Sequence, residues 1–149
     1  MKSKAFEKLT SALNETGAGI RVSGGDSGFT PFLLASLGES LDRTVVVVTS
    51  TEERAAELLA GLRFFVGQGE DGFSLAEQLF APDTSPYHQI APNRFVVMER
   101  LATLYRLALG RGLRFVTMSV QALTLRTLPP EQLLEASMTV SNNTRLDRE

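Results

Sequence analysis

The chain contains no cysteine, and its only histidine is His88. Without thiols there are no disulfides and no thiolate metal centre, and one imidazole leaves little from which to assemble a zinc site. No cofactor or metal is expected. Long hydrophobic runs are also missing. The N-terminal stretch Met1–Leu9 carries lysines and a glutamate where a signal peptide needs apolar residues, and no segment approaches membrane-span length. The expectation is a cytoplasmic protein without a membrane partner. A formal net charge of -2 supplies no global basic field to hold nucleic acid, although it leaves room for a local patch. The length, 149 residues, fits one ordinary domain and cannot house a motor built from paired nucleotide-binding domains. There is no internal repeat and no low-complexity segment.

What is present is an alternation of strand-like and helix-like segments. Ala5, Leu9, Ala12 and Leu13 fall on one face of a first helix that ends near Thr16-Gly17. A strand is expected at about Ile20 to Ser23, followed by a glycine-rich turn and a helix opened by Thr30-Pro31, a threonine cap before a first-turn proline. The unbroken β-branched run in RTVVVVTS reads as a central strand covered on both faces. Thr51 caps a helix with Ala55, Leu58, Leu59 and Leu62 on its buried face. A short strand is expected at Leu79-Phe80-Ala81, then an irregular proline-containing segment. A long helix starts near Asn93, with Val97, Leu101, Leu104, Tyr105 and Ala108 on one face, and stops at Gly110. LRFVTMS reads as a strand, VQALTLRTL as a short helix, PPEQLL as a proline-started turn of helix, and ASMTVS as a last strand. Such alternation implies an α/β fold, with a mostly parallel sheet sandwiched between helices and right-handed crossovers.

Several motifs bear on chemistry. SGGDSGFT, Ser23, Gly24, Gly25, Asp26, Ser27, Gly28, Phe29 and Thr30, occupies the place of a phosphate-binding loop of the G-x-x-x-x-G-K-S/T type. Gly28 and Thr30 match that pattern, but Ser23 replaces its first glycine and Phe29 its lysine. Phe29 brings no charge to a phosphate, and Asp26 opposes an anion, so a bend packed by Phe29 is expected rather than a nucleotide site; weak anion binding by the loop amides is the alternative. Tyr87, His88, Asp83 and Ser85 invite a triad reading, but no nucleophile elbow accompanies them. No catalytic residue is assigned. Arg94, Arg100, Arg106 and Arg111, with Arg114, are a candidate basic patch along one helix and its following loop. Glu99 and the acidic balance favour an ordinary solvated helix face instead. Glu53 and Glu57 stand one helical turn apart on a polar face, where water screens both.

The order LFAPDTSPYHQIAPN, MERLATLYRLALGRGLRFVTMSVQAL, SVQALTLRTLPPEQLL and RLDRE resembles the N-terminal region of the bacterial transcription-repair coupling factors, the Mfd family. Its most specific parts are Pro82 to Pro92 and Glu99 to Leu107. The resemblance implies a degenerate P-loop NTPase-like fold, similar to the first domain of the excision-repair protein UvrB, that has lost its phosphate-loop chemistry. By that resemblance residues 1–141 form the UvrB-like α/β domain with a degenerate phosphate loop. Residues 142–149, within NNTRLDRE, are then a truncated start of the following UvrA-recruiting domain. The function implied is a non-catalytic scaffold in the bacterial cytoplasm. Its parent would be an ATP-dependent DNA translocase that displaces stalled RNA polymerase and recruits nucleotide excision repair, with ATP hydrolysed in motor domains absent here. The implied partners are the remainder of the parent chain and, for the parent, UvrA, RNA polymerase and DNA. Most of the UvrA-binding surface lies outside this chain, and an exposed apolar patch or strand edge is expected to promote self-association. The alternatives are a nucleotide-binding switch with an unorthodox loop and a small DNA-binding module on the arginine-bearing helix.

Overall fold

A computed structural model describes residues 4–14, 19–26, 28–41, 43–69, 72–83, 91–110 and 112–138, and among these described residues nine elements carry the regular structure. They are α1 (Lys4–Asn14), α2 (Phe29–Ser40), β1 (Val45–Thr49), α3 (Glu52–Val66), β2 (Ala76–Leu79), α4 (Arg94–Leu109), β3 (Phe115–Ser119), α5 (Val120–Thr124) and α6 (Pro130–Glu135). The strands form a parallel sheet in the order β1-β3-β2, with Val45 and Ala76 both in register with Phe115. The fold is therefore α/β with a three-stranded parallel sheet flanked by helices. Ser85, Tyr87 and His88, Ser27, Arg111 and the stretch 142–149 lie outside the described residues.

The sheet separates two apolar layers because successive side chains of a strand point to opposite faces. On one face Phe115 packs with Ala35 of α2, Leu59 and Leu62 of α3, and Ala76. On the other, Val116 and Met118 pack with Leu79, Ala81, Leu113 and Ala122, and Leu104 and Leu107 of α4 close over them. Full burial of one such leucine or phenylalanine contributes about 1.5–3 kcal/mol. All five residues of β3 are buried, so β3 is the central strand.

Among the described strands the valine run lies at the edge of the sheet, contrary to its reading as a central one. Val46 and Val48 are 52% and 43% exposed, because α4 lies over β2 and leaves that face of β1 open. A β-branched run is compatible with either place, and only the pairing partners decide between them. Ile20 to Ser23 forms no strand. The segment is exposed and, among the described residues, pairs with no strand; it lines instead an apolar cleft of about 880 Å³ with α1 and with Phe29, Phe32 and Leu33 of α2. Of the expected strand Leu79-Phe80-Ala81 only Leu79 is in β2, because the ladder with Phe115–Met118 runs from Ala76 and ends at Leu79. Its Glu77 and Gln78 look unlike strand residues until their partners are known. Ser137 and Met138 are not in a strand, and residues 139–141 of the expected last strand lie outside the described residues.

Helix ends follow local chemistry more closely. Thr51 accepts a hydrogen bond from Arg54 N at 3.2 Å, and α3 stops at Gly67, whose φ of 67° suits glycine. Asn93 Oδ1 accepts from Phe95 N at 3.0 Å, and α4 ends at Gly110 with φ 63°. Helix α2 begins at Phe29, one residue before the expected threonine cap, so Thr30 lies inside it. Two close approaches set the α2 packing. Pro31 lies against Gly61 of α3, and the Phe115 ring lies against Gly38, in both cases where a Cβ would intrude.

Candidate functional site

The glycine-rich turn is held by its own aspartate. Asp26 Oδ1 accepts hydrogen bonds from Gly28 N at 3.1 Å and Phe29 N at 2.9 Å, and the Asp26 carbonyl also accepts from Phe29 N at 3.2 Å. These are amides at the start of α2, where a helix presents unsatisfied donors and partial positive charge. In a working phosphate loop such amides receive the phosphate; here a covalently tethered carboxylate receives them. An incoming anion has to displace Asp26 and then sit beside its charge. The Phe29 side chain folds back against Gly25, a glycine at φ 103° whose Cβ, if it had one, would collide with the ring. Ser23 and Phe29 face the apolar cleft, and Gly24, at φ 86°, completes the bend. Thr30 is exposed in the first turn of α2.

Of the arginines proposed as a patch, Arg111 lies outside the described residues and the others stand in different settings. Arg100 is 9% exposed and turned into the protein, donating from Nη1 to the Phe80 carbonyl. Burial pulls its pKa below the usual guanidinium value, and the nearby charge of Glu52 pushes back. Its buried Nη2 has no hydrogen-bond partner among the described residues. Arg106 donates to Glu77 at 3.0 Å, to the Ser74 carbonyl at 2.8 Å and to the Gly112 carbonyl at 3.1 Å, and its guanidinium lies 5.6 Å from the centre of the Phe73 ring. Arg114 donates to the carbonyls of Gly38 and Leu41. Arg94, at the start of α4, is exposed.

A carboxylate that the residue pattern does not single out joins the strand ends. Glu52 opens α3 just past the C-terminal end of β1, and its carboxylate reaches the same end of the other two strands. Oε1 accepts from Ser119 Oγ and from Ala81 N, and Oε2 accepts from Gln78 Nε2 at 2.8 Å. Ser119 Oγ in turn accepts from Ala122 N, capping α5, and the single proton of Thr49 Oγ1 is shared between the carbonyls of Thr51 at 2.8 Å and Met118 at 3.2 Å. Thr103 of α4 donates to the Gln78 carbonyl at 3.1 Å. Carboxyl ends of parallel strands are where α/β folds bind ligands. Here the three donors to Glu52 come from the protein itself, and the network ties β2, β3 and α5 to the start of α3. Its chemistry is that of a structural cross-link.

Glu53 and Glu57 do not form a working carboxylate pair. Glu57 accepts from Arg54 at 2.6 Å on the exposed face, whereas the Glu53 carboxyl is held below its usual range by its own backbone N–H and by the Thr51 hydroxyl. Among the described residues no group of three or more histidine, cysteine, aspartate or glutamate side chains is placed to hold a metal ion, and no helix is long and apolar enough to cross a membrane.

A stretch of 100 residues, 65% of this chain, is 38% identical to the transcription-repair-coupling factor of Myxococcus xanthus. The chain is similar to one region of that protein. The matched stretch spans 8% of the length of that relative. No protein-family model matches the chain.

Proposed function

We propose that this chain is a non-catalytic scaffold module of the transcription-repair coupling pathway, similar in fold to the first domain of UvrB. The observation that carries the non-catalytic part is the occupation of the loop amides by Asp26, with Phe29 in the position of the phosphate-binding lysine. The similarity to the M. xanthus transcription-repair-coupling factor supports the pathway. On this reading the module packs against the rest of a longer, ATP-driven DNA translocase and presents the domain that recruits UvrA. Nucleotide is hydrolysed elsewhere in that protein, and RNA polymerase and DNA are its partners as a whole. The inward commitment of Arg100 and Arg106 weighs against the DNA-binding alternative.

Calorimetric titration of Mg-ATP and Mg-ADP tests the loop. The native chain and Phe29→Lys give no binding heat, because Asp26 still holds the amides, while Asp26→Gly combined with Phe29→Lys gains phosphate-dependent binding. Saturable micromolar binding by the native chain would overturn the scaffold reading. The pathway is tested by replacing the matched stretch of the M. xanthus protein with this chain's residues and measuring strand-specific repair. Coupling persists on our reading; loss to the level of a deletion of that stretch refutes it.

A further inference from the structure

The two edges of the sheet are finished differently. In the β1–β3 ladder Val45 N donates to the Arg114 carbonyl at 2.8 Å, so Val45, Val47 and Thr49 turn their backbone groups toward β3, and Val46 and Val48 turn theirs outward. On the opposite edge Phe115 N donates to the Leu75 carbonyl, which turns Ala76 and Gln78 of β2 outward. There the side chains close the edge. The Ala76 carbonyl accepts from Arg63 Nε at 3.1 Å and Ser74 Oγ at 2.7 Å, Ala76 N donates to Ser74 Oγ at 3.2 Å, and the Gln78 carbonyl accepts from Thr103 Oγ1. Glu77, between them, is ion-paired to Arg63 and Arg106. On β1, among the described residues, no side chain or backbone group hydrogen-bonds the outward groups of Val46 and Val48.

Edge strands are normally blunted by lysine, proline, a bulge or a covering element. The stretch 44–50, Thr-Val-Val-Val-Val-Thr-Ser, has no charge and no proline. The two residues with outward backbone groups are also the two whose side chains stand half-exposed, so donors, acceptors and apolar surface coincide on one strip.

We propose that β1 is a self-association edge that pairs antiparallel with β1 of a second copy about a two-fold axis at Val47. The second copy is the occupant because the strip is complementary to itself. Centring on Val47 places Val46 opposite the second copy's Val48, and the reverse. Both are hydrogen-bonded pairs, exchanging about four bonds between the copies. It also sets the four exposed valines together on one face and opposes Thr44 with Ser50. No like charges meet. The result is a continuous six-stranded sheet with an isologous interface. Two strands make an interface at the small end of the size range, so association reads out as a concentration dependence.

Sedimentation equilibrium over a concentration series tests the pairing. The native chain forms dimers. Val46→Lys combined with Val48→Lys opposes lysine to lysine across the axis and weakens the dimer by roughly tenfold or more, with unchanged circular dichroism. Phe95→Lys, at a 77% exposed position on α4, leaves association unchanged. Because the chain has no cysteine, a single introduced thiol reports the register. Val47→Cys places two Cα atoms about 4.5 Å apart across the axis and cross-links on mild oxidation, whereas Val46→Cys places its pair about 8 Å apart, beyond disulfide reach. A native chain that stays monomeric, a dimer indifferent to the two lysines, or faster cross-linking of the Val46→Cys variant than of Val47→Cys overturns the proposal.

Discussion

Glu52 and Glu53 are neighbours in sequence and opposite in energetic weight, which makes Glu52→Ala a decisive perturbation. The substitution removes the acceptor for three donors: Ser119 Oγ, Ala81 N and Gln78 Nε2. Ser119, Gln78 and Ala81 are 2%, 3% and 8% exposed, so water does not readily replace the carboxylate. Gln78 Nε2 keeps a second acceptor in the Glu52 carbonyl at 3.2 Å, which reduces its loss, but Ala81 N has no other described acceptor. Each buried donor left without a partner costs about 1–3 kcal/mol, and Arg100 loses a nearby opposite charge. These contributions share one group and do not add fully, so the expected loss is about 3–5 kcal/mol, a large share of the roughly 5–15 kcal/mol typical of a folded domain. In thermal unfolding that corresponds to a drop of roughly 6–20 °C for a chain of this size. Glu52→Gln keeps an acceptor oxygen and falls between native and Ala. Glu53→Ala, on the exposed side of the same turn, costs far less, because water replaces what its carboxylate loses. Urea unfolding of the three variants gives the comparison directly. If Glu52→Ala is no more harmful than Glu53→Ala, the network does not hold the strand ends and the argument fails.

Two other perturbations follow from close packing and from charge. Gly38→Ala would raise intrinsic helix propensity by about 1 kcal/mol, yet it drives a Cβ into the Phe115 ring, and overpacking of about 1–3 kcal/mol prevails; the urea midpoint falls, and a rise would show that the ring yields freely. The Glu53 carboxyl has a lowered pKa in the fold, so its stabilising contribution is present above the unfolded carboxyl pKa and is lost as pH falls through the folded value. Glu53→Gln therefore flattens the acid limb of the stability-pH curve, and an unchanged limb in that variant refutes the assignment.

Much of the local structure was legible because local chemistry causes it. Thr51 and Asn93 cap the helices they precede, Gly67 and Gly110 end them at positive φ, and the apolar spacing of Ala55, Leu58, Leu59 and Leu62 makes them the buried face of α3. On α4 the apolar spacing misled: Leu101 is 40% exposed, while Arg100 and Thr103 are buried because the polar ends of β2 lie beneath them. In the glycine-rich turn the presence of Phe29 and of Asp26 was visible in the sequence. That Asp26 turns its carboxylate onto the loop's own amides was not, since an aspartate there could equally face solvent.

By itself the sequence determined the α/β class, the limits of α3 and α4 and the absence of thiol chemistry, all of which depend on residue identity and on spacing within a few positions. Tertiary structure alone decided which strand is central. TVVVVTS suits a sheet's middle or its edge equally well, and what leaves β1 at the edge is that β3 pairs on both sides while α4 lies over β2. It also decided that Glu52 is a hub and Glu53 a surface charge. Both are acidic residues in the first turn of one helix, and only the strand ends that converge on Glu52 distinguish them.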